Sequence, residues 1–297
     1  MSSMKSVKLI ATDLDGTLFY PKKRSHMVTK ENRAFINRFC DDGGRILLVT
    51  GRNSYFGEKV GTKMGKNFDY IACNGALVVS GGKTIFEKHV NNEEARKIVE
   101  DLQNIHEAKL IFLFTKDHNM VCQRKEIAKW VKMGYSIYRV FEGTYREPYF
   151  KDDALFQEEL DNGKIYKILM FPGFGKKSIP FSFELAKKLT GLYPDLNIVA
   201  SEQAIEITAK GATKREGLSF YLDYNQINVD NVLVVGDSGN DISMFQAFPG
   251  RSFCMDHSLE DVKQHASFVI KRFSDIENYV YPSAETTAET TIKKEGN

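Results

Sequence analysis

Apolar positions along the chain fall in short blocks set off by polar turns, and near the N-terminus the blocks change period in a regular way. Val7–Thr12 is a nearly continuous apolar run and predicts a buried strand. Thr29–Asp41 carries Ala34, Phe35, Ile36 and Phe39 at helical spacing, with Thr29 placed to cap the helix and Gly43-Gly44 to end it. Arg45–Thr50 and Tyr70–Cys73 are strand-like again. Strand and helix in alternation predict an α/β fold with a parallel, doubly wound sheet.

The pattern changes from Leu77 onward. Leu77-Val78-Val79, Ser80-Gly81-Gly82 and Lys83-Thr84-Ile85-Phe86 read as a hairpin, a short-range antiparallel device. Residues 85–208 then mix strands (Leu110–Thr115, Asn119–Gln123, Ile165–Phe171, Asn197–Ser201 and Ala204–Thr208) with helices near 92–106, 125–133 and 179–193. This stretch is expected to form an inserted α+β domain, a plausible size for an independent core. Alternation resumes with a helix from Lys214 to Asn225, the strand Val232–Val235 and a helix starting near Asp241. The expected organisation is therefore 1–84 and 209–282 for the two parts of a core domain and 85–208 for the insertion. Residues 283–297, almost without large apolar side chains, are expected to be a disordered tail.

Composition narrows the possibilities. A chain of 297 residues with 42% hydrophobic and 27% charged content has room for a large core or two modest ones. A net charge of +2 creates no broad attractive field, so nothing favours nucleic acid or a membrane surface as a partner. No apolar run approaches the roughly 20 residues that span a bilayer. The N-terminal segment also lacks the apolar stretch of a signal peptide, which makes a cytoplasmic location the expectation. Cys40, Cys73, Cys122 and Cys254 are far apart and carry no zinc-site spacing.

Candidate chemistry lies at the ends of the strands, where a parallel sheet places its ligands. The first strand ends in Asp13-Leu14-Asp15-Gly16-Thr17. With period-two alternation Asp13 and Asp15 leave the backbone on the same side, close enough for each charge to oppose the other's ionisation. One could attack phosphorus while the other passes a proton to the leaving oxygen. By itself the pentapeptide also suits a simple turn out of the strand. The second strand ends in Thr50-Gly51-Arg52, where a hydroxyl, a glycine amide and a cation can face an anion; a turn explains this too. Asp237 follows Val232–Val235 and Gly236, with Asn240 and Asp241 next, a set of oxygens suited either to magnesium or to capping a helix. Thr213 and Glu216 have capping-box spacing, which puts Lys214 in the first turn of a helix. A cation there opposes the helix dipole unless an anion lies nearby; otherwise Lys214 is a solvated surface residue. Together the parts suggest phosphoryl transfer, with Asp13 as nucleophile and Asp15 as acid and base. Magnesium would be held by Asp13, the Asp15 carbonyl and Asp237, and the phosphate by Thr50, Lys214 and backbone amides including Gly16 and Gly51.

These four elements, in this order, resemble the haloacid dehalogenase superfamily of phosphatases. Cys73-Asn74-Gly75-Ala76 before the insertion and Gly236-Asp237-Ser238-Gly239-Asn240-Asp241 after it look like its Cof-type subfamily with a type II cap. The resemblance covers residues 7 to about 282. It implies a Rossmann-like core under an α+β lid, Mg2+ as cofactor with Asp241 behind the metal ligands, and Asn240 helping to hold the phosphate. Arg52 and Asn74 would be substrate or cap contacts. The implied substrate is a small phosphorylated metabolite, a sugar phosphate above others. Ser238 and Arg215 stand where many relatives have glycine. Two other functions remain open from sequence: a phosphomutase like the phosphomannomutases, and a non-catalytic protein that binds a phosphorylated ligand in the same pocket. A P-type ion pump is excluded by the lack of spans. The segment Tyr145–Phe150 suits either substrate recognition or packing between domains.

Overall fold

A computed structural model describes residues 7–21, 27–105, 110–123, 150–172, 178–201 and 204–281. The expected helix near 125–133, residues 145–149 and the tail 283–297 lie outside them.

Two sheets organise the chain. The larger contains β1 (Leu9–Thr12), β2 (Arg45–Val49), β3 (Asp69–Ala72), β4 (Leu77–Ser80), β5 (Lys83–Glu87), β12 (Val232–Gly236), β13 (Ser252–Met255) and β14 (Phe268–Ile270), in the order β14-β13-β12-β1-β2-β3-β4-β5. From β14 to β3 every pair is parallel, while β4 and β5 add antiparallel at one edge. Leu9, Ile10, Ala11 and Thr12 are all fully buried, because helices cover both faces of the sheet and an apolar run replaces the alternation of a one-sided strand. Leu9 and Ala11 pack with Leu47, Val234 and the side chains Leu218, Tyr221 and Leu222 of helix α6 (Lys214–Tyr224). Ile10 faces the other way, toward Leu48, Val235 and Phe35, Ile36 and Phe39 of helix α1 (Lys30–Asp41). Thr29 caps α1 by accepting a hydrogen bond from the Asn32 amide at 3.2 Å.

The smaller sheet contains β6 (Leu110–Thr115), β7 (Asn119–Cys122), β8 (Phe150–Lys151), β9 (Ile165–Phe171), β10 (Leu196–Ser201) and β11 (Ala204–Ala209), ordered β10-β11-β9-β6-β7-β8. One face carries Ile111, Leu113, Ile168, Met170, Ile205 and Ile207 and is covered by α3 (Asn92–Gln103), α4 (Asp153–Asn162) and α5 (Ser178–Leu192). The other face, with Phe112, Phe114, Met120 and Cys122, joins the apolar cluster that includes Phe56 and Cys73 of the larger sheet's layer. This second face therefore looks onto the carboxyl ends of the parallel strands.

Sequence periodicity did not predict α2 (Ser54–Met64), α4, β13 or β14. Helix α2 buries Phe56, Val60 and Met64 at helical spacing, but Gly57 and Gly61, poor helix formers, fill two of its five buried positions and weaken the pattern. The space left by Gly57 is taken by the Tyr70 ring. The larger sheet continues through β5 to Glu87, one residue past the expected hairpin and three past the expected end of the first core segment at 84.

Candidate active site

The site forms where β1, β2 and β12 end side by side. Pairing of β1 with both neighbours brings Asp13, Thr50 and Asp237 together from positions far apart in sequence. The Asp13 amide donates to the Val235 carbonyl at 2.9 Å, which extends the ladder by one residue and fixes the Asp13 backbone. The chain then turns sharply: Gly16 has φ +73°, and a Cβ there would lie 2.1 Å from Asp237 Oδ2. Glycine at this position is what lets the turn after β1 lie against the Asp237 carboxylate.

Lys214 is not a surface lysine. Its side chain is fully buried, and Nζ donates to Asp13 Oδ1 and to Asp241 Oδ1, each at 2.7 Å. Thr213 caps α6 by accepting from the Glu216 amide at 3.3 Å, so the cap sets the lysine's position in the first turn. Asp241 is fully committed: Oδ1 is held by Lys214, while Oδ2 accepts from the amides of Asp237 and Ser238 at 3.0 and 3.1 Å. Asp237 Oδ1 accepts from Thr17 Oγ1 at 3.0 Å, and Oδ2 lies 3.8 Å from His257 Nε2, whose ring stacks on Tyr20.

Negative charge exceeds what one ammonium can balance. Burial drives the Asp13 carboxyl well above the usual carboxylate range; Lys214 opposes this, and Asp241, Asp237 and Asp15 add to it. Asp237 is also raised, again mainly by burial. Lys214 suffers the same desolvation, but Asp13 and Asp241 outweigh it and hold its proton more firmly than an ordinary lysine's. Asp13, Asp237 and Asp241 each offer a carboxylate oxygen within 4.8 Å of the others. A hard divalent cation such as magnesium fits this donor set, because it takes oxygen ligands and would relieve the excess charge. Asp241 is fully buried and holds Lys214 and two backbone amides, while Asp13 and Asp237 keep some exposure at the strand ends and are the carboxylates best placed to meet it.

Asp15 belongs to a different cation. Arg52 forms a fork on its carboxylate, with Nη2 donating to Oδ1 at 2.5 Å and Nε to Oδ2, and the guanidinium lies 4.1 Å from the centre of the Phe56 ring. Asp13 and Asp15 thus face separate positive partners, Lys214 and Arg52, and their mutual repulsion is the weakest influence on Asp13. Thr50 Oγ1 accepts from the Arg52 amide at 3.1 Å. Asn74, buried at φ +58°, receives the Asn240 amide on Oδ1 at 3.2 Å and donates Nδ2 to Glu206.

The structure therefore gathers Asp13, Asp15, Gly16, Thr50, Gly51, Arg52, Asn74, Lys214, Asp237, Asn240 and Asp241 around one region. Sequence reading gave no role to Thr17, His257, Lys167 or Glu206. For the last two a signal existed: each is a single charge inside an otherwise apolar strand, Ile165–Phe171 and Ala204–Ala209.

Parallel strands whose ends carry acids, with a second sheet inserted over them, define an α/β protein with a Rossmann-like core and a capped site. The chain belongs to the haloacid dehalogenase-like hydrolases, whose family model matches residues 10–276. It is 26% identical over 282 residues to the 5-amino-6-(5-phospho-D-ribitylamino)uracil phosphatase YwtE of Bacillus subtilis, covering 89% of this chain and 93% of that one. It is 26% identical to the phosphatase YwpJ of the same organism, covering 89% and 94%. Among solved structures, a haloacid dehalogenase-like hydrolase from B. subtilis superposes with a TM-score of 0.76 at 23% identity, covering 93% of this chain and all of that one. The subclass IIB sugar phosphatase BT4131 has the same fold, with a TM-score of 0.70 at 22% identity and coverage of 97% and 99%. No helix among the described residues is long and apolar enough to cross a membrane.

Proposed function

We propose that this hydrolase is a magnesium-dependent phosphatase that removes the phosphoryl group of a small sugar phosphate through an aspartyl-phosphate. The observation that carries the reading is Lys214, buried between Asp13 and Asp241 at the strand ends. A lysine enclosed there has no packing purpose that an apolar residue would not serve better, whereas a cation beside a nucleophilic carboxylate can hold the oxygens of a transferring phosphoryl group. The names of the relatives, phosphatases of a ribitylamino phosphate and of sugars, support the substrate class.

In this reading an Asp13 oxygen attacks phosphorus, the bond to the leaving oxygen breaks, and Asp15 gives that oxygen a proton. Donation from Asp15 requires the Arg52 fork to open on the oxygen that carries the proton. Water then attacks the phosphorus of the aspartyl-phosphate, Asp15 takes its proton, and Asp13 is restored. Lys214, Thr50, Asn240 and the amides of Gly16 and Gly51 hold the phosphoryl oxygens. Magnesium held by Asp13, Asp237 and the Asp15 carbonyl would supply further positive charge there. Residues 85–208 act as a lid over the site. The test is phosphate release from a panel of sugar phosphates with and without a chelator, for the native chain and Asp13→Asn. Loss of at least about 1,000-fold in the variant and in chelator is expected, since the nucleophile has no substitute. Full magnesium-dependent activity in Asp13→Asn would refute the assignment, and conversion of a hexose 1-phosphate to its 6-phosphate without free phosphate would replace a phosphatase by a mutase.

A further inference from the structure

Two strands of the smaller sheet place one buried charge each on the face turned toward the site. Lys167 in β9 and Glu206 in β11 are 3% and 8% exposed, with Nζ and Oε2 at 3.1 Å. Around them that face is apolar and aromatic: Phe112 and Phe114 in β6, Leu169 and Phe171 in β9. Nζ of Lys167 stands 4.6 Å from the centre of the Phe114 ring. A buried ion pair is a poor way to stabilise such a face, since apolar side chains of similar volume do as well or better. Folding of the sheet does not call for these charges.

Where they point gives them a use. Both reach out of their own sheet to the two loops that edge the site on the larger one. Lys167 donates to the carbonyl of Gly51, between Thr50 and Arg52, and Glu206 accepts from Asn74 Nδ2. Asn74 in turn accepts from Asn240. Lys167 therefore sits one hydrogen bond, and Glu206 two, from residues proposed to hold the phosphate, on the sheet face turned toward the site.

Its charge defines what it can recognise. An ammonium beside a carboxylate is neutral as a unit but offers donors and acceptors together. A second phosphate on the leaving group would be attracted by Lys167 but repelled by Glu206, and an amine the reverse, so the neutral pair gives neither a net advantage. A pair of neighbouring hydroxyls satisfies both partners, one accepting from Nζ and the other donating to the carboxylate. In the ligand-free chain the Gly51 carbonyl and the Asn74 amide supply the same two hydrogen bonds.

We propose that Lys167 and Glu206 form the specificity-determining pair for the leaving group, reading adjacent hydroxyls of a polyhydroxylated phosphomonoester in place of Gly51 and Asn74. This rests on the phosphatase reading above and goes beyond it by assigning the substrate preference to two residues. A leaving group without hydroxyls would leave both charges paired only with the protein, and gains nothing from them.

The experiment compares ribitol 5-phosphate with pentyl phosphate, a chain of the same length without hydroxyls, in the native chain, Glu206→Gln, Lys167→Met and the double variant. The native chain is expected to favour ribitol 5-phosphate by at least about 100-fold in kcat/KM, and each single variant to cut that ratio by at least about tenfold while pentyl phosphate changes by less than about threefold. If instead both substrates fall together and the ratio stays, the pair is a latch between the sheets and the proposal is wrong. The double variant, which removes both charges at once, keeps the test available should a single variant fail to fold. The phosphatase reading fails if the native chain hydrolyses neither compound nor any member of the sugar phosphate panel. Whenever it hydrolyses neither of the two compounds, the pair is judged by calorimetry. Ribitol 5-phosphate is then expected to bind Asp13→Asn more tightly than inorganic phosphate does, and adding Glu206→Gln to remove at least about tenfold of that difference. An unchanged difference, or no binding of ribitol 5-phosphate, overturns the proposal.

Discussion

Lys214→Met isolates the electrostatic core of the site. Methionine keeps the length and much of the volume of the lysine stem, so the change removes charge with little cavity. It deletes two charge-assisted hydrogen bonds, each 2.7 Å long, to Asp13 and Asp241, both buried. Such bonds contribute roughly 1.5 to 3 kcal/mol each, and removing one partner of a buried ion pair costs about 3 to 5 kcal/mol, so the expected loss of stability is about 3 to 5 kcal/mol. The loss should depend on pH. Burial already holds the Asp13 carboxyl well above its ordinary value in the presence of Lys214, and without the lysine it rises further. A carboxyl whose folded value lies above its unfolded one contributes stability below the unfolded value and loses it as pH climbs through the folded one. The raised affinity of Lys214 for its proton contributes equally across this range and is lost only in strong alkali, above the ordinary lysine value. The native chain without metal should therefore weaken as pH rises from the ordinary carboxylate range, and Lys214→Met should weaken more steeply. Urea denaturation followed by circular dichroism, in chelator at about pH 5 and about pH 8, measures both curves. A loss below about 1 kcal/mol at the higher pH, or equal losses at the two, would refute the charge argument.

Other consequences are tested more simply. Gly75→Ala places a Cβ 2.0 Å from the Thr213 carbonyl at φ +102°, and strain with overpacking should cost about 2 to 5 kcal/mol. Because Thr213 caps α6 just before Lys214, activity should fall with stability; an unchanged urea midpoint would mean that the two loops are not locked together. Magnesium should raise the melting temperature of the native chain, by about 2.7 kcal/mol of stabilisation at a hundredfold excess over its dissociation constant. Asp237→Asn should lose most of that shift, and a flat response in the native chain would remove magnesium from the site.

Much of the site is legible in the sequence. The Asp13-x-Asp15 pair, Thr50, Lys214 and Asp237 each stand directly after a strand or in a helix's first turn, so local pattern and the rule that parallel sheets bind ligands at their carboxyl ends place them together. Helix α2 escaped because Gly57 and Gly61, poor helix formers, interrupt a buried face otherwise made of Phe56, Val60 and Met64. The partners of the charges escaped for another reason: Lys214 meets Asp13 across 201 residues of sequence and Asn74 meets Glu206 across 132.

The sequence by itself determined the alternation of strands and helices, the inserted stretch and the residues able to carry phosphoryl chemistry, because periodicity and capping act over a few neighbouring residues. Only the tertiary structure decided which charge answers which. Asp13 belongs to Lys214 and Asp15 to Arg52, Asp241 spends both oxygens on holding others in place, and Lys167 and Glu206 reach from one sheet to the loops of the other. Those pairings depend on strand order and on the burial that raises Asp13 and Asp237, and both exist only once distant segments have packed.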